Sequence, residues 1–187
     1  MNDDPASCVP RALAGHRDAA TALARRAGRV AMPIASIALG GRDAAADVVQ
    51  DVVVDVLRDL RGLRDPLAFD AWVRRIASRR VVRAARTERL RRSRELPIAD
   101  DLADGGGESR VLVRMSVADA LRRLPARQRV ALSLRYAHDL TDAEIADALG
   151  CRPGTAASLL SRGREALRAD PGLRALVGAD TEQEARL

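Results

Sequence analysis

The chain has 187 residues, enough for one or two domains with modest cores, and 47% of them are hydrophobic, so it is globular. Aromatics make up only 2%, which leaves Ala, Val, Leu and Ile to build the core. The formal net charge is +6 and every fixed cation is an arginine, a balance that favours an anionic partner but also suits a GC-rich coding bias. Cys8 and Cys151 stand far apart with no C-x-x-C, which argues against a disulfide framework or zinc site and for a reducing compartment. His16 and His138 are isolated, without metal-ligand spacing. The N-terminal M-N-D-D-P-A-S-C has no apolar signal core. The longest apolar run, Val30 to Leu39, is short and contains Pro33, so no membrane insertion is expected and the chain is expected in the cytoplasm.

In chain order, Arg11 to Ala27 reads as a first helix with Leu13, Ala20, Leu23 and Ala27 inward, ended by Gly28. Val30 to Leu39 reads as a second, kinked or started at Pro33 and stopped by Gly40-Gly41. Asp43 to Arg61 is ambiguous by local propensity, because Val52-Val53-Val54 favours strand. The pattern decides it: Val48, Val49, Val52, Val53, Val56, Leu57 and Leu60 form a helical stripe, with Asp43 as a candidate cap. Asp47, Asp51, Asp55 and Asp59 run down another face at spacing four, where like charges repel. That stripe is either a solvated face or a docking face for a basic partner.

Gly62 breaks this helix, and Asp65-Pro66 begins the next. Phe69, Trp72, Val73, Ile76 and Ala77 mark its apolar side, the aromatic pair reading as core more readily than as a base-stacking platform. Arg75, Arg79, Arg83 and Arg86 form a stripe on another face, thickened by Arg74, Arg80, Arg89, Arg91, Arg92 and Arg94. So much arginine repels itself without an anion nearby, and DNA phosphate fits. From Ser93 to Arg110, Pro97, Gly105-Gly106-Gly107 and five acids give a flexible acidic linker.

Val111 to Leu124 reads as a helix ended by Pro125, and Arg127 to Ala137 as another with Val130, Leu132, Leu134 and Tyr136 available for packing. Thr141 and Glu144 form a capping box that starts a short helix carrying Ile145, Ala146 and Leu149. Gly150 supplies the positive φ to leave it, and Pro153 fits the first turn of the following helix. Leu159, Leu160 and Leu167 give that helix its apolar face, while Arg152, Arg162, Arg164 and Arg168 face outward. This is a helix-turn-helix, whose second helix enters the DNA major groove. The tail after Pro171 is expected to fray.

The stretch L-P-A-R-Q-R-V-A-L-S-L-R-Y-A-H-D-L-T-D-A-E-I-A-D-A-L-G-C-R-P-G-T-A-A-S-L-L-S-R-G-R, Leu124 to Arg164, resembles the C-terminal promoter-binding domain of bacterial RNA polymerase sigma factors. The type it most resembles is the small two-domain, extracytoplasmic-function (ECF) group. A-A-D-V-V-Q-D-V-V-V-D-V-L followed by F-D-A-W-V-R-R-I-A-S-R-R-V-V-R-A-A-R is similar to sigma domain 2. The resemblance covers about Leu13 to Arg168. It implies an all-α fold of two small helical domains, at 10–93 and 111–170, the second a helix-turn-helix, with a flexible acidic linker over 94–110 and a tail over 171–187.

The resemblance also implies partners and sites. Asp47, Gln50 and Asp51 occupy the positions that dock on the β′ coiled coil of core polymerase. Arg75, Arg79, Arg83 and Arg86 belong to the helix that meets the −10 promoter element. Arg152, Thr155, Ser158, Arg162 and Arg164 fall on the helix that meets the −35 element. Further partners implied are the β flap and an anti-sigma factor. Arg79 and Arg83 replace the family's usual Asn and Asp, and Ala157 stands where a basic residue is usual.

No P-loop, G-x-G-x-x-G, metal cluster or nucleophile with a paired base appears, so neither a cofactor nor an enzyme is expected. Two other readings share the motif. A helix-turn-helix regulator would carry a sensor domain, and the N-terminal half has no phosphoacceptor-like βα pattern. A polymerase or anti-sigma interaction protein with weak promoter reading is favoured by three features. Ala156, Ala157 and Leu159 lack hydrogen-bond donors, Arg152 replaces a serine cap, and Gly163 sits inside the helix, these last two each costing about 1 kcal/mol.

Overall fold

Residues 4–92 and 117–175 are described by the computed structural model, and every regular element among them is helical. The linker expected at 94–110, the start of the helix expected at Val111 and the tail over 176–187 lie outside the described residues. In the first stretch α1 (Pro5–Leu13), α2 (Arg17–Leu39), α3 (Arg42–Arg58) and α4 (Phe69–Arg92) follow one another. Single 3-10 turns at Leu60–Gly62 and Pro66–Ala68 separate α3 from α4. The second stretch holds α5 (described over 117–123), α6 (Ala126–His138), α7 (Asp142–Leu149) and α8 (Pro153–Ala169).

The N-terminal elements differ from the sequence expectation. Asp4 accepts the N–H of Ala6 and Pro5 opens α1, which ends at Leu13; α2 then runs unbroken from Arg17 through Gly28 and Pro33. Glycine costs a helix about 1 kcal/mol relative to alanine and proline about 3. Burial of Ala22, Leu23, Ala27, Ala31, Ile34 and Ala35 on either side offsets both. A Cβ on Gly28 would meet Val53 at 4.0 Å, so α3 crosses α2 there at ordinary contact distance. Gly40, at φ +86°, ends the helix as expected.

α3 begins at Arg42 with Gly41 as cap; Asp43 makes no capping bond but places its charge in the first turn, where the helix dipole favours it. Val49, Val52, Val56 and Leu60 are buried as the stripe predicts, while Val54 and Leu57 are exposed. Asp65 accepts the N–H of Leu67 at 2.9 Å and sets up the entry to α4. Phe69 is buried and Trp72 partly so, their rings 6.2 Å apart at 53°, a tilted core pair.

In the C-terminal stretch the local signals hold. Thr141 accepts the N–H of Glu144, and Glu144 accepts that of Thr141 at 2.8 Å, a bond that holds the Glu144 carboxyl below its ordinary range. Gly150 is left-handed at φ +59° and Pro153 opens α8. Val130, Leu132 and Leu134 are buried, but Tyr136 is 67% exposed and lies outside the core. Beyond α8, buried Asp170 accepts Arg123 at 2.5 Å and the N–H groups of Gly172 and Leu173. The start of the tail is thus a capped helical turn over 171–175 and not a frayed end.

The two stretches pack on each other. α6 lies against α2 and α4, α7 lies against α4, and one continuous core contains buried residues of both.

Gly163 is more than a weak helix residue. A Cβ there would come within 3.0 Å of Leu132 Cδ1 and 3.3 Å of Leu132 Cγ, and Leu132 is buried. Glycine permits the close approach of α6 and α8. Gly163→Ala should therefore forfeit the helix-propensity gain and lower stability by about 1 kcal/mol, with Gly163→Val costing more. Urea denaturation measures both; a Gly163→Ala variant stabilised by about 1 kcal/mol would refute the packing argument.

Candidate nucleic-acid interface

Two helices of opposite charge lie side by side in the N-terminal stretch. On α3, Asp47, Gln50 and Asp51 are exposed. Asp55 is not: its side chain turns inward, 10% exposed, and accepts Arg80 Nε at 2.5 Å and Arg58 Nη2 at 2.8 Å. The hydrogen bond from Arg80 is the chief reason its carboxyl lies below the ordinary range, and the Arg58 charge adds to it. Asp55 ties α3 to α4 and leaves the docking stripe. Arg80 also reaches Asp51 at 3.3 Å, so it too is partly committed within the fold.

On α4, Arg75, Arg79, Arg83 and Arg86 are all exposed and share one face. Among the described residues no carboxylate pairs with Arg79, Arg83 or Arg86; Arg79 Nε makes a 3.4 Å hydrogen bond to the carbonyl of Arg75. Arg75 is different: its Nη2 meets Asp147 of α7 at 2.5 Å. Arg79, Arg83 and Arg86 thus form a basic face without a carboxylate partner among the described residues, the kind of surface an anion can neutralise.

On α8, Thr155, Ser158 and Arg162 are exposed, with Arg152 at the cap, its side chain making no capping bond. Arg164 is exposed but belongs elsewhere. It lines a cleft of about 340 Å³ with Arg135, Tyr136, Asp142, Ala157 and Leu160, where Arg135 is ion-paired to Asp142. The five residues expected to act together thus divide between two sides of the helix. Ala156 is fully buried and Ala157 and Leu159 are half-buried, so Ala156 cannot meet base edges and the other two are poorly placed to. Ala156 is a packing position and Leu159 packs partly against the core, while Ala157 lines the cleft beside Arg164.

His138, which the sequence leaves isolated, sits half-buried at the end of α6, and its Nε2 has no hydrogen-bond partner. Burial first, and then the Arg74 charge, lower its pKa, against the opposing pull of the Val30 backbone and Asp70. Cys8 is buried and Cys151 half-buried, and neither is in a disulfide. Among the described residues no group of His, Cys, Asp and Glu has metal-site geometry, and no helix is long and apolar enough to cross a membrane.

Comparison with known proteins matches two stretches to family models: Sigma-70 region 2 at residues 16–91 and Sigma-70, region 4, at residues 114–167. The chain is 31% identical over 158 residues to the ECF RNA polymerase sigma factor SigM of Mycobacterium tuberculosis, covering 83% of this chain and 78% of the relative. It is 30% identical over 138 residues to the ECF RNA polymerase sigma-E factor of Escherichia coli, covering 65% and 70%. It is 29% identical over 150 residues to the RNA polymerase sigma-H factor of Pseudomonas aeruginosa, covering 71% and 75%.

The geometry separates the aspartates of α3 by role. Asp55→Ala should lower stability by about 1 kcal/mol, because it removes the buried hydrogen-bond acceptor that joins α3 to Arg80 of α4. Asp47→Ala should change it by less than about 0.5 kcal/mol, as exposed substitutions do. A depressed carboxyl contributes stability above its ordinary pKa of about 3.9 and loses it as pH falls further. The gap between wild type and Asp55→Ala, read by urea denaturation, should therefore be full at pH 7 and shrink below about pH 4. Equal stability of the two variants at pH 7 would count against the assignment.

Proposed function

Because this chain belongs to the extracytoplasmic-function sigma factors of bacterial RNA polymerase, we propose that its exposed charged faces divide the work of that family between them. The chain is an alternative sigma factor that binds core RNA polymerase and promoter DNA and directs transcription initiation. The observation that carries the division is the arginine face of α4, three of whose guanidiniums have no carboxylate partner among the described residues, beside the acidic face of α3.

In this reading Asp47, Gln50 and Asp51 dock on the β′ coiled coil. Arg75, Arg79, Arg83 and Arg86 hold the backbone of the −10 element. Thr155, Ser158 and Arg162, with Arg152 at the helix cap, face the −35 element, and the β flap meets the C-terminal helices. Arg164 is better placed for the cleft beside Tyr136 than for DNA. Polymerase supplies the chemistry and this chain the promoter address, in the cytoplasm, with an anti-sigma factor as the partner that silences it. The alternative of a weakly reading interaction protein loses two of its supports, since Ala156 is buried and Gly163 serves packing.

Two measurements test the division. Reversal of the acidic face with Asp47→Arg and Asp51→Arg together should abolish pull-down of core polymerase with circular dichroism unchanged; undiminished pull-down would remove the docking assignment. For the basic face, Arg83→Ala with Arg86→Ala should flatten the salt dependence of promoter binding. Each lost phosphate contact takes about 0.7–0.9 from the logarithmic slope. An identical slope in the double variant would mean that this face is merely solvated.

A further inference from the structure

Arg80 of α4 touches the acidic helix at two points. Its Nε donates to Asp55 Oδ2 at 2.5 Å, and its Nη1 donates to Asp51 Oδ2 at 3.3 Å. The first bond is an anchor, because Asp55 is turned inward and its other oxygen accepts Arg58 at 2.8 Å. The second is longer and runs to a carboxylate 63% exposed on the docking face of α3. Among the described residues Nη2 has no hydrogen-bond partner. We propose that Arg80 is a further DNA-contact residue and that Asp51 withholds it. When a cation of the β′ coiled coil takes Asp51, the Nη1–Nη2 edge of Arg80 is released to a phosphate of the −10 element. This rests on the assignment of the α4 face to DNA and of Asp51 to polymerase.

Position and chemistry suit Arg80 to a phosphate. At 3.6 residues per turn it lies about 60° around α4 from Arg83, at the edge of the arginine face. Its side chain is 37% exposed, so it is not closed off from solvent. A guanidinium is a planar fork whose paired N–H groups match two phosphate oxygens. Asp55, bonded to Nε, fixes that plane beforehand, so less order is lost on binding than with an unanchored arginine.

Two anions therefore compete for one edge. Asp51 holds it through a single bond in solvent, and exposed ion pairs contribute little, so the edge is easily exchanged. A cation that engages Asp51 removes the weaker hold and leaves the Asp55 anchor in place. By linkage the effect is reciprocal: a strand bound at Arg80 leaves Asp51 freer for polymerase. The two charged faces are thus coupled through one side chain, with no movement of either helix required.

The test uses the full chain and a fluorescein-labelled oligothymidylate, because a phosphate contact does not depend on base sequence. Anisotropy gives affinity as a function of salt. Asp51→Ala should tighten binding about twofold to fivefold, the range of an exposed ion pair, and steepen the logarithmic slope by about 0.7, one phosphate on a single strand. Asp43→Ala removes the same charge from an exposed site about two turns away and should leave the slope unchanged. In an Arg80→Lys background the gain from Asp51→Ala should vanish, because a single ammonium kept by Asp55 presents no second edge. Arg80→Lys alone should bind core polymerase about twofold to fivefold more tightly than wild type, since Asp51 then has no rival cation to give up. Equal changes from Asp51→Ala and Asp43→Ala overturn the proposal. So does a gain that survives Arg80→Lys, or core binding that Arg80→Lys fails to tighten. Arg83→Ala with Arg86→Ala reads the underlying DNA assignment on the same strand. A flattened slope there with no response to Asp51→Ala sinks the role of Arg80 alone, and an unflattened slope sinks both.

Discussion

The small size of the core side chains governs this fold. With one Phe, one Trp and an exposed Tyr136, only Phe69 and Trp72 bring aromatic rings to the interior. Alanine fills much of the rest, from Ala19 to Ala38 on α2 and again at Ala120, Ala126, Ala131, Ala146, Ala148 and Ala156. A methyl group buries little apolar surface, so each such contact stabilises by a fraction of what a leucine would give. Helices faced with alanine must approach closely to exclude voids. Gly163 marks a place where the approach is made, against Leu132. Directed ion pairs then fix geometry that bulk packing leaves loose. Arg26 holds Asp70 through two bonds of 2.7 and 2.8 Å and ties α2 to α4. Asp55 and Arg80 tie α3 to α4, and Arg123 and Asp170 tie α5 to the end of α8.

What was legible in the sequence follows from whether its cause was local. The helix-turn-helix was readable because Thr141, Glu144, Gly150 and Pro153 act on their own backbone within a few residues. The break between α1 and α2 was misread because Gly28 and Pro33 are local breakers overruled by burial of Ala27, Ala31 and Ile34 against other helices. Gly163 read as a propensity penalty because its partner, Leu132, is 31 residues away. The seam between the two halves had no sequence signal: Arg75 and Asp147 are ordinary surface charges until the chain is folded.

The charged stripes were partly decidable by geometry alone. At 3.6 residues per turn a spacing of four drifts by about 40° per step. Asp55 thus lies about 80° around α3 from Asp47, on the side that faces Arg80 of α4. That drift carries Asp55 over the edge of the solvent face and into reach of Arg80. The arginine stripe on α4 drifts by the same 80° from Arg75 to Arg83, but that side faces solvent, and the last step of three residues turns back by about 60°. Arg75, Arg79, Arg83 and Arg86 then fall within about 80° of one another, and all four are exposed.

The same arithmetic re-sorts α8. Arg152, Thr155, Ser158 and Arg162 lie within an arc of about 120°, whereas Arg164 falls about 180° from Thr155. Ala157 and Leu160 lie on the Arg164 side, and Leu160 is buried there against the preceding helices. The outward arc therefore carries two hydroxyls and two guanidiniums with half-buried Leu159 between Thr155 and Arg152, while Ala156 and Ala157 lie outside it. Hydroxyls bond phosphate or base edges, and a guanidinium takes guanine O6 and N7 together. The donors of α8 thus face solvent, whereas on the α4 face Asp147 already holds Arg75.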